Sequence, residues 1–281
     1  MPGIRGGEAV FLFVRRFRKY TRGYNIRDKA TDIFAGFDKA LPEFRFLQEA
    51  REVFQKFRTS GGDDAQMGKF RTALIKVGEN VFEEGQVRLP AETSPHLKIR
   101  EGIPHEEIIQ ETLDGRYDLV MLGVHHEHGC HWYDIEHIPL SVTMKTLCPV
   151  MIIQETVEPG QPVLVCAGRH PISRASADFI QRIATELNSH IEVVTVRRSE
   201  DDKHELPGEI RKITNSWIEQ GINVSTDIRI GDPLDVIAKM TPDYGLVICM
   251  AGGKKQKKQL GKLPRHLLCN RVNLLIFPPE P

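Results

Sequence analysis

The sequence contains no long apolar segment. None of its 281 residues lies in a run approaching the ~20 apolar residues that a membrane-spanning helix needs. The longest apolar runs cover residues 9–14 and 119–124, and arginines follow the first one at once, unlike the layout of a secretory signal. We therefore expect a cytoplasmic protein without a transmembrane segment.

The sequence also lacks an excess of charge and any pair of closely spaced cysteines. Lys plus Arg and Asp plus Glu each number 38, so the formal net charge is zero, which disfavours nucleic acid as a partner. The absence of a Cys-x-x-Cys pair excludes a cysteine-based zinc site and favours a reducing compartment. The five cysteines are scattered over the chain, at Cys130, Cys148, Cys166, Cys249 and Cys269.

An internal repeat is the most informative feature that is present. Residues 99–104 (Ile-Arg-Glu-Gly-Ile-Pro) reappear as residues 228–233 (Ile-Arg-Ile-Gly-Asp-Pro). An apolar run predicted to be a buried strand follows each copy, at 119–123 and 246–250, and a second run closes each half, at 149–153 and 273–277. The repeat predicts two domains, residues 1–157 and 158–281.

The second half alternates predicted strands and helices, which indicates an α/β domain with a parallel sheet. The first half is irregular. Helices are predicted around residues 33–41, 46–57 and 70–81, the last with an apolar stripe that includes Val77 and Val81 and ends at Gly85.

The only early strand candidate in the first half covers residues 9–16. It ends Val-Arg-Arg, as residues 196–198 do, so it either matches that later strand or is the first strand itself. Under the first alternative, this half lacks a first strand and helix and carries a helical insertion.

The order of strand, Gly-x-Pro, helix, apolar strand ending in Gly, glycine loop, helix and Cys-Pro-Val resembles the universal stress protein family. The residues that carry the resemblance include Gly102, Pro104, Gly123, Gly129 and Cys148-Pro149-Val150. It implies two doubly wound parallel-sheet domains in tandem, of the adenine nucleotide α-hydrolase-like type, the first divergent. In the family the last strands pair across a dimer, so the two halves are expected to form an intramolecular pseudo-dimer.

Members of the family that bind ATP have similar phosphate-binding loops with the sequence pattern Gly-x2-Gly-x9-Gly-Ser/Thr. The first half has Gly123, His126, Glu136 and His137 at those positions, so only one glycine remains and a carboxylate would face the phosphate.

In the second half the corresponding loop is shorter and offers Gly252, Gly253, Gly261 and Lys262 for a cofactor. No cofactor is therefore expected. ATP or AMP in the second domain is the alternative.

Two further segments contain residues that could bind a metal ion or an anion. Imidazoles suit zinc and similar metals, so the cluster of His125, His126, His128 and His131 is a candidate metal site, against the alternative of a polar loop. Residues 252–272 hold seven basic residues and no acid, which predicts an anion site or, alternatively, a solvated loop.

Three functions remain open on this sequence. The first, which we favour, is a non-catalytic regulatory or binding protein of the universal stress protein type, with degenerate nucleotide loops and a protein partner or homo-oligomeric state. The second is a nucleotide-binding stress protein that uses the second domain. The third is an accessory subunit that scaffolds a larger assembly.

Overall fold

A computed structural model gives the fold of the chain. It describes residues 8–15, 64–123, 132–168, 171–198, 206–252, 260–270 and 272–278. The chain divides into two compact units, one within residues 1–108 and 127–130 and the other formed by the remainder. The helices predicted around residues 33–41 and 46–57 lie outside the described residues.

The described residues of the first unit form a two-stranded parallel sheet and one long helix. Strand β1 (Glu8–Arg15) pairs in parallel with β2 (Ser94–Glu101), and α1 (Asp64–Gln86) lies between them in the sequence. Parallel neighbours require such a crossover connection.

Helix α1 differs from its sequence prediction in the face it turns to the sheet. Val77 is buried as expected, but Val81 is 43% exposed, and the ring of Phe82 instead contacts Phe11 edge-on at 5.4 Å. Gly85 does not end the helix, which continues to Gln86. A Cβ at Gly85 would lie 2.8 Å from the Phe11 ring, so this glycine makes room for the aromatic contact.

The second unit is built on a seven-stranded sheet in the order β3-β4-β9-β8-β5-β6-β7. The strands are β3 (Val120–Gly123), β4 (Val150–Ile153), β5 (Val163–Cys166), β6 (Ile191–Arg197), β7 (Val224–Ile230), β8 (Leu246–Met250) and β9 (Leu274–Phe277). The helices are α2 (Pro104–Asp114), α3 (Trp132–Lys145), α4 (Arg174–Glu186), α5 (Gly208–Glu219), α6 (Pro233–Met240) and α7 (Lys262–Leu268), of which α2 begins in the first unit.

The second half of the chain folds as its sequence predicts. Strands β5, β6, β7, β8 and β9 are mutually parallel, with helices between them in the chain. Gly221 follows α5 with a φ of +81°, a conformation that suits a glycine after a helix. Buried Val163, Val165, Ile191 and Ile248 pack with α4 and α5 residues into one continuous core cluster.

The closing strands of the two halves pair with each other. β4 and β9 run antiparallel, with Met151 opposite Leu275 at the centre of the pairing. Both strands are apolar and nearly fully buried. The expected intramolecular pairing is therefore confirmed, and each strand covers an edge that would otherwise be exposed.

The pairing of β1 decides between the two alternatives for the early strand. Val14 lies opposite Arg100 in the first sheet, just as Val196 lies opposite Arg229 in the second. The Val-Arg-Arg sequences and the repeated Ile-Arg sequences thus share one register in both halves. β1 is the counterpart of β6, and the described part of the first half contains no counterpart of β5.

Candidate functional site

The carboxyl ends of β5 and β8 form the topological switch point of the second half. The chain proceeds from β5 to β6 and β7 on one side and returns to β8 and β9 on the other. Open α/β sheets bind ligands in the crevice beyond such a point. Here the crevice is flanked by Ala167 and Gly168 after β5 and by Ala251 and Gly252 after β8.

The structure brings two of the predicted site residues, Gly252 and Gly261, into contact. The amide of Gly261 donates to the carbonyl of Ala251 at 2.8 Å, which closes the loop at its base. A Cβ at Gly261 would lie 2.9 Å from that carbonyl oxygen and 3.4 Å from the Gly252 Cα. Gly252 has a φ of +57°, a left-handed conformation that glycine adopts readily. Both glycines therefore have local backbone reasons to be glycine.

Lys262 is a charged side chain directly after Gly261. It begins α7 and is exposed, and Gly261 caps the helix without a side-chain hydrogen bond. Lys262 therefore brings a positive charge to the residue that directly follows Gly261.

Two buried cysteines lie near the carboxyl ends of β5 and β8, and sequence reasoning did not assign them to this part of the sheet. Val165 is paired with Ile248, so Cys166 and Cys249 occupy the next positions of these neighbouring strands. Both are buried, and burial raises the pKa of the Cys166 thiol to about 12. Burial, and then the neighbouring Cys166, raise the pKa of Cys249 well above its ordinary value. The sequence signal that could have identified them is their similar position near the end of each apolar run.

The remaining predicted site residues lie outside the described part of the chain: Gly253, His125, His126, His128 and His131. Gly123 ends β3 and is exposed. Within the described ranges, no group of three or more His, Cys, Asp or Glu side chains is placed to hold a metal. The histidine metal site stays a prediction.

A cluster of polar side chains near the opposite ends of β6 and β7 was also not predicted from the sequence. The hydroxyl of Tyr244 donates to Glu192 at 2.6 Å, and His190 Nε2 and Ser225 Oγ are 2.7 Å apart. Burial and then the Glu192 contact raise the pKa of Tyr244 far above its ordinary value. These bonds tie the 3₁₀ turn Thr241–Asp243 and the edge strand to the sheet, which is a structural role.

Comparison with solved structures identifies the architecture. A universal stress protein from Archaeoglobus fulgidus DSM 4304 matches with a TM-score of 0.59 and 16% identity, over 78% of this chain and 81% of that one. The chain has the universal stress protein fold.

Two further structures of this kind match almost the whole chain. They are a proposed universal stress protein from Pseudomonas aeruginosa UCBPP-PA14 and a protein of unknown function from Pseudomonas aeruginosa PAO1. Each has a TM-score of 0.52 and 12% identity over 98% of this chain, and the match covers 94% and 93% of those chains. Coverage of this extent is consistent with a tandem arrangement of the universal stress protein fold.

Sequence comparison adds no closer assignment. No protein-family model matches the chain, and no curated protein matches it. Among the described residues, no helix has the length and apolar character needed to cross a membrane.

Proposed function

We propose that the chain is a non-catalytic, cytoplasmic binding protein of the universal stress protein type, which takes up a small anion or an acidic group of a partner in its second half. The observation that carries the proposal is the hydrogen bond from the Gly261 amide to the Ala251 carbonyl, which sets Gly252 and Gly261 close together beside exposed Lys262 at the switch point of the sheet. Glycine backbone allows close approach of an anionic group, and the lysine supplies charge.

The same site argues against tight binding of MgATP. The nucleotide-binding members of the family resemble one another in an acidic residue directly after the first strand. The two residues described after β5 are Ala167 and Gly168, and neither is acidic. In the first half, the loop begins at Gly123 but retains none of the later glycines. We expect a MgATP dissociation constant above about 10 μM, equivalent to a binding free energy weaker than about −7 kcal/mol.

Calorimetric titration of the intact protein with MgATP, AMP and pyrophosphate, at low salt, tests this proposal. Wild-type protein should bind pyrophosphate or AMP more strongly than MgATP, and Lys262→Glu should weaken that binding at least about tenfold. Lys239→Glu is the matched control, because Lys239 is an exposed lysine at the end of α6 and outside this loop. It should leave binding unchanged.

Three results would contradict the proposal. Equal effects of Lys262→Glu and Lys239→Glu would mean that the protein attracts anions only through its general surface charge. Release of phosphate from MgATP above background, lost in Lys262→Glu, would favour the alternative of a nucleotide-hydrolysing stress protein. MgATP binding below about 10 μM without turnover would favour a nucleotide-binding one.

A further inference from the structure

Helix α7 carries basic side chains on one face. Lys262 and Arg265 are exposed and three positions apart, and His266, four positions after Lys262, is partly exposed. Residues three and four positions apart lie on the same side of a helix. Leu267 and Leu268 are buried and fix the opposite face of α7 against the protein. Lys262, Arg265 and His266 therefore form a basic stripe along the outer face of α7.

The basic stripe belongs to a segment of one charge sign in a chain that is neutral as a whole. Residues 252–272 hold seven lysines and arginines and no acidic residue, whereas the formal net charge of the chain is zero. A local concentration of one sign attracts groups of the opposite sign at short range. General attraction of polyanions by the whole molecule is not expected at zero net charge, so recognition depends on this local segment.

The basic stripe begins at the proposed anion site and extends away from it. Lys262 directly follows Gly261, whose amide donates to the carbonyl of Ala251 at 2.8 Å. From Lys262 to His266 the helix rises by about 6 Å, at about 1.5 Å per residue. A single small anion at Lys262 leaves the far end of the stripe unused. A ligand with two or more separated negative groups can use both ends.

An acidic residue follows the segment that lies at the carboxyl end of α7. Gln154 Nε2 donates to the carbonyls of Val272 at 2.9 Å and Leu268 at 3.4 Å, so residue 154 lies beside the last turn of the helix. The next residue, Glu155, is exposed. A nucleic acid strand carries a charge at every phosphate, so a strand that continued along α7 would approach this carboxylate. A short acidic segment need not extend so far.

We propose that the second half binds a short acidic segment of another protein, with one carboxylate at Lys262 and the next at Arg265 and His266. This inference rests on the function proposed above and names the partner of the same site. Alternate residues of an extended chain lie on one side, about 6.8 Å apart, which is close to the length of the basic stripe. The guanidinium group of an arginine can also donate two parallel hydrogen bonds to a carboxylate.

Fluorescence anisotropy with a labelled peptide of alternating glutamate and threonine, blocked at both ends, tests the proposal on the full-length protein at low salt. Wild-type protein should bind this peptide and should not bind the same peptide with glutamine in place of glutamate. Arg265→Glu replaces attraction by repulsion and should raise the peptide dissociation constant at least about fivefold. Lys212→Glu is the matched control, because Lys212 is an exposed lysine on α5, and it should leave binding unchanged.

Pyrophosphate separates the acidic segment from a small anion at the same site. Lys262→Glu should weaken the binding of both the peptide and pyrophosphate, because both ligands use this end of the stripe. Arg265→Glu should weaken peptide binding at least about threefold more than it weakens pyrophosphate binding, because only the peptide reaches the second position. Calorimetric titration measures pyrophosphate binding, and circular dichroism establishes that each variant is folded.

The outcomes distinguish this inference from the proposed function. Pyrophosphate binding that depends on Lys262, together with no peptide binding or with equal effects of Arg265→Glu on both ligands, would overturn the acidic segment and leave the anion site in place. If Lys262→Glu changed neither ligand, both proposals would fail. A single-stranded oligonucleotide of twelve thymidines that bound more tightly than the peptide, with the same dependence on Arg265, would identify nucleic acid as the partner and overturn the inference.

Discussion

The two thiols near the carboxyl ends of β5 and β8 are reactive groups in surroundings that suppress their reactivity. Cys166 and Cys249 are buried, and their raised pKa values keep them protonated at neutral pH. Since the thiolate is the reactive species, burial protects these thiols both from solvent and from ionisation. They serve as small apolar side chains near the ends of these strands.

We expect thiol labelling to separate these cysteines from the partly exposed Cys269. In a Cys130→Ser background at pH 8, iodoacetamide should modify Cys269 in the native protein and modify Cys166 and Cys249 at least about a thousandfold more slowly, because the latter require unfolding. Peptide mapping by mass spectrometry measures the rates, and a denatured sample supplies the reference. Comparable native rates at all three sites would contradict the buried placement.

The hydrogen bond between Tyr244 and Glu192 gives a second prediction, on pH dependence. The pKa of Tyr244 is raised in the folded state, so its contribution to stability is complete below the unfolded value near 10 and falls as the pH rises above it. Tyr244→Phe should lower the free energy of unfolding by about 1–2 kcal/mol at pH 7. Urea denaturation at pH 7 and pH 11 should show this difference shrinking, and a constant difference would contradict the assignment.

At the scale of secondary-structure elements, Asn273 joins the two halves of the chain. Its Oδ1 accepts from the amides of Gln154 and Glu155 at 2.8 and 3.0 Å, and its Nδ2 donates to the carbonyl of Gly245 at 3.0 Å. One side chain thus fixes the end of β4 and the start of β8 beside β9. Asn273 is buried, so these backbone groups have no ready access to water.

Substitution of Asn273 should therefore lower the free energy of unfolding substantially. Asn273→Ala should lower the free energy of unfolding by about 2–4 kcal/mol, because it leaves two amides and one carbonyl without partners. Asn273→Asp keeps the acceptor and loses the donor, and it places a charge in a buried site. Chemical denaturation measures both variants. The Gln161→Ala control removes an exposed contact of Gln161 with Glu158 and should cost less than about 1 kcal/mol.

Sequence patterns predicted the second half closely and the first half in part, for a physical reason. Strands buried on both faces are continuous apolar runs, so β5, β8 and β9 could be located within one or two residues. The buried face of α1 could not be predicted in this way, because Val81 and Phe82 are both apolar. Only packing against Phe11 decides which of the two turns inward.

At the scale of the whole molecule, sequence patterns located glycines with local backbone requirements but not the contacts that join distant segments. The glycine spacing identified Gly252 and Gly261, because their backbone requirements are local. Contacts that join distant segments had no such signal: the cysteine pair near the ends of β5 and β8 and the bonds of Asn273 arise from strand pairing.

The pairing of β4 with β9 makes the seven-stranded sheet a property of the whole chain. A fragment of residues 158–281, the predicted second domain, retains β5 to β9 but loses β4. The apolar strand Leu274–Phe277 then becomes an exposed edge, and such edges pair with other chains. We expect the fragment to fold and to self-associate through β9, with a melting temperature that rises with protein concentration.

Hydrogen exchange and light scattering on the fragment test this expectation. In the full-length protein the amides of residues 274–277 should be protected at every concentration, because β4 and β8 both flank β9. In the fragment their protection should increase with concentration as dimers form. A monomeric fragment with β9 fully protected would mean that the second half is complete without β4, and the antiparallel pairing would then be dispensable for its stability.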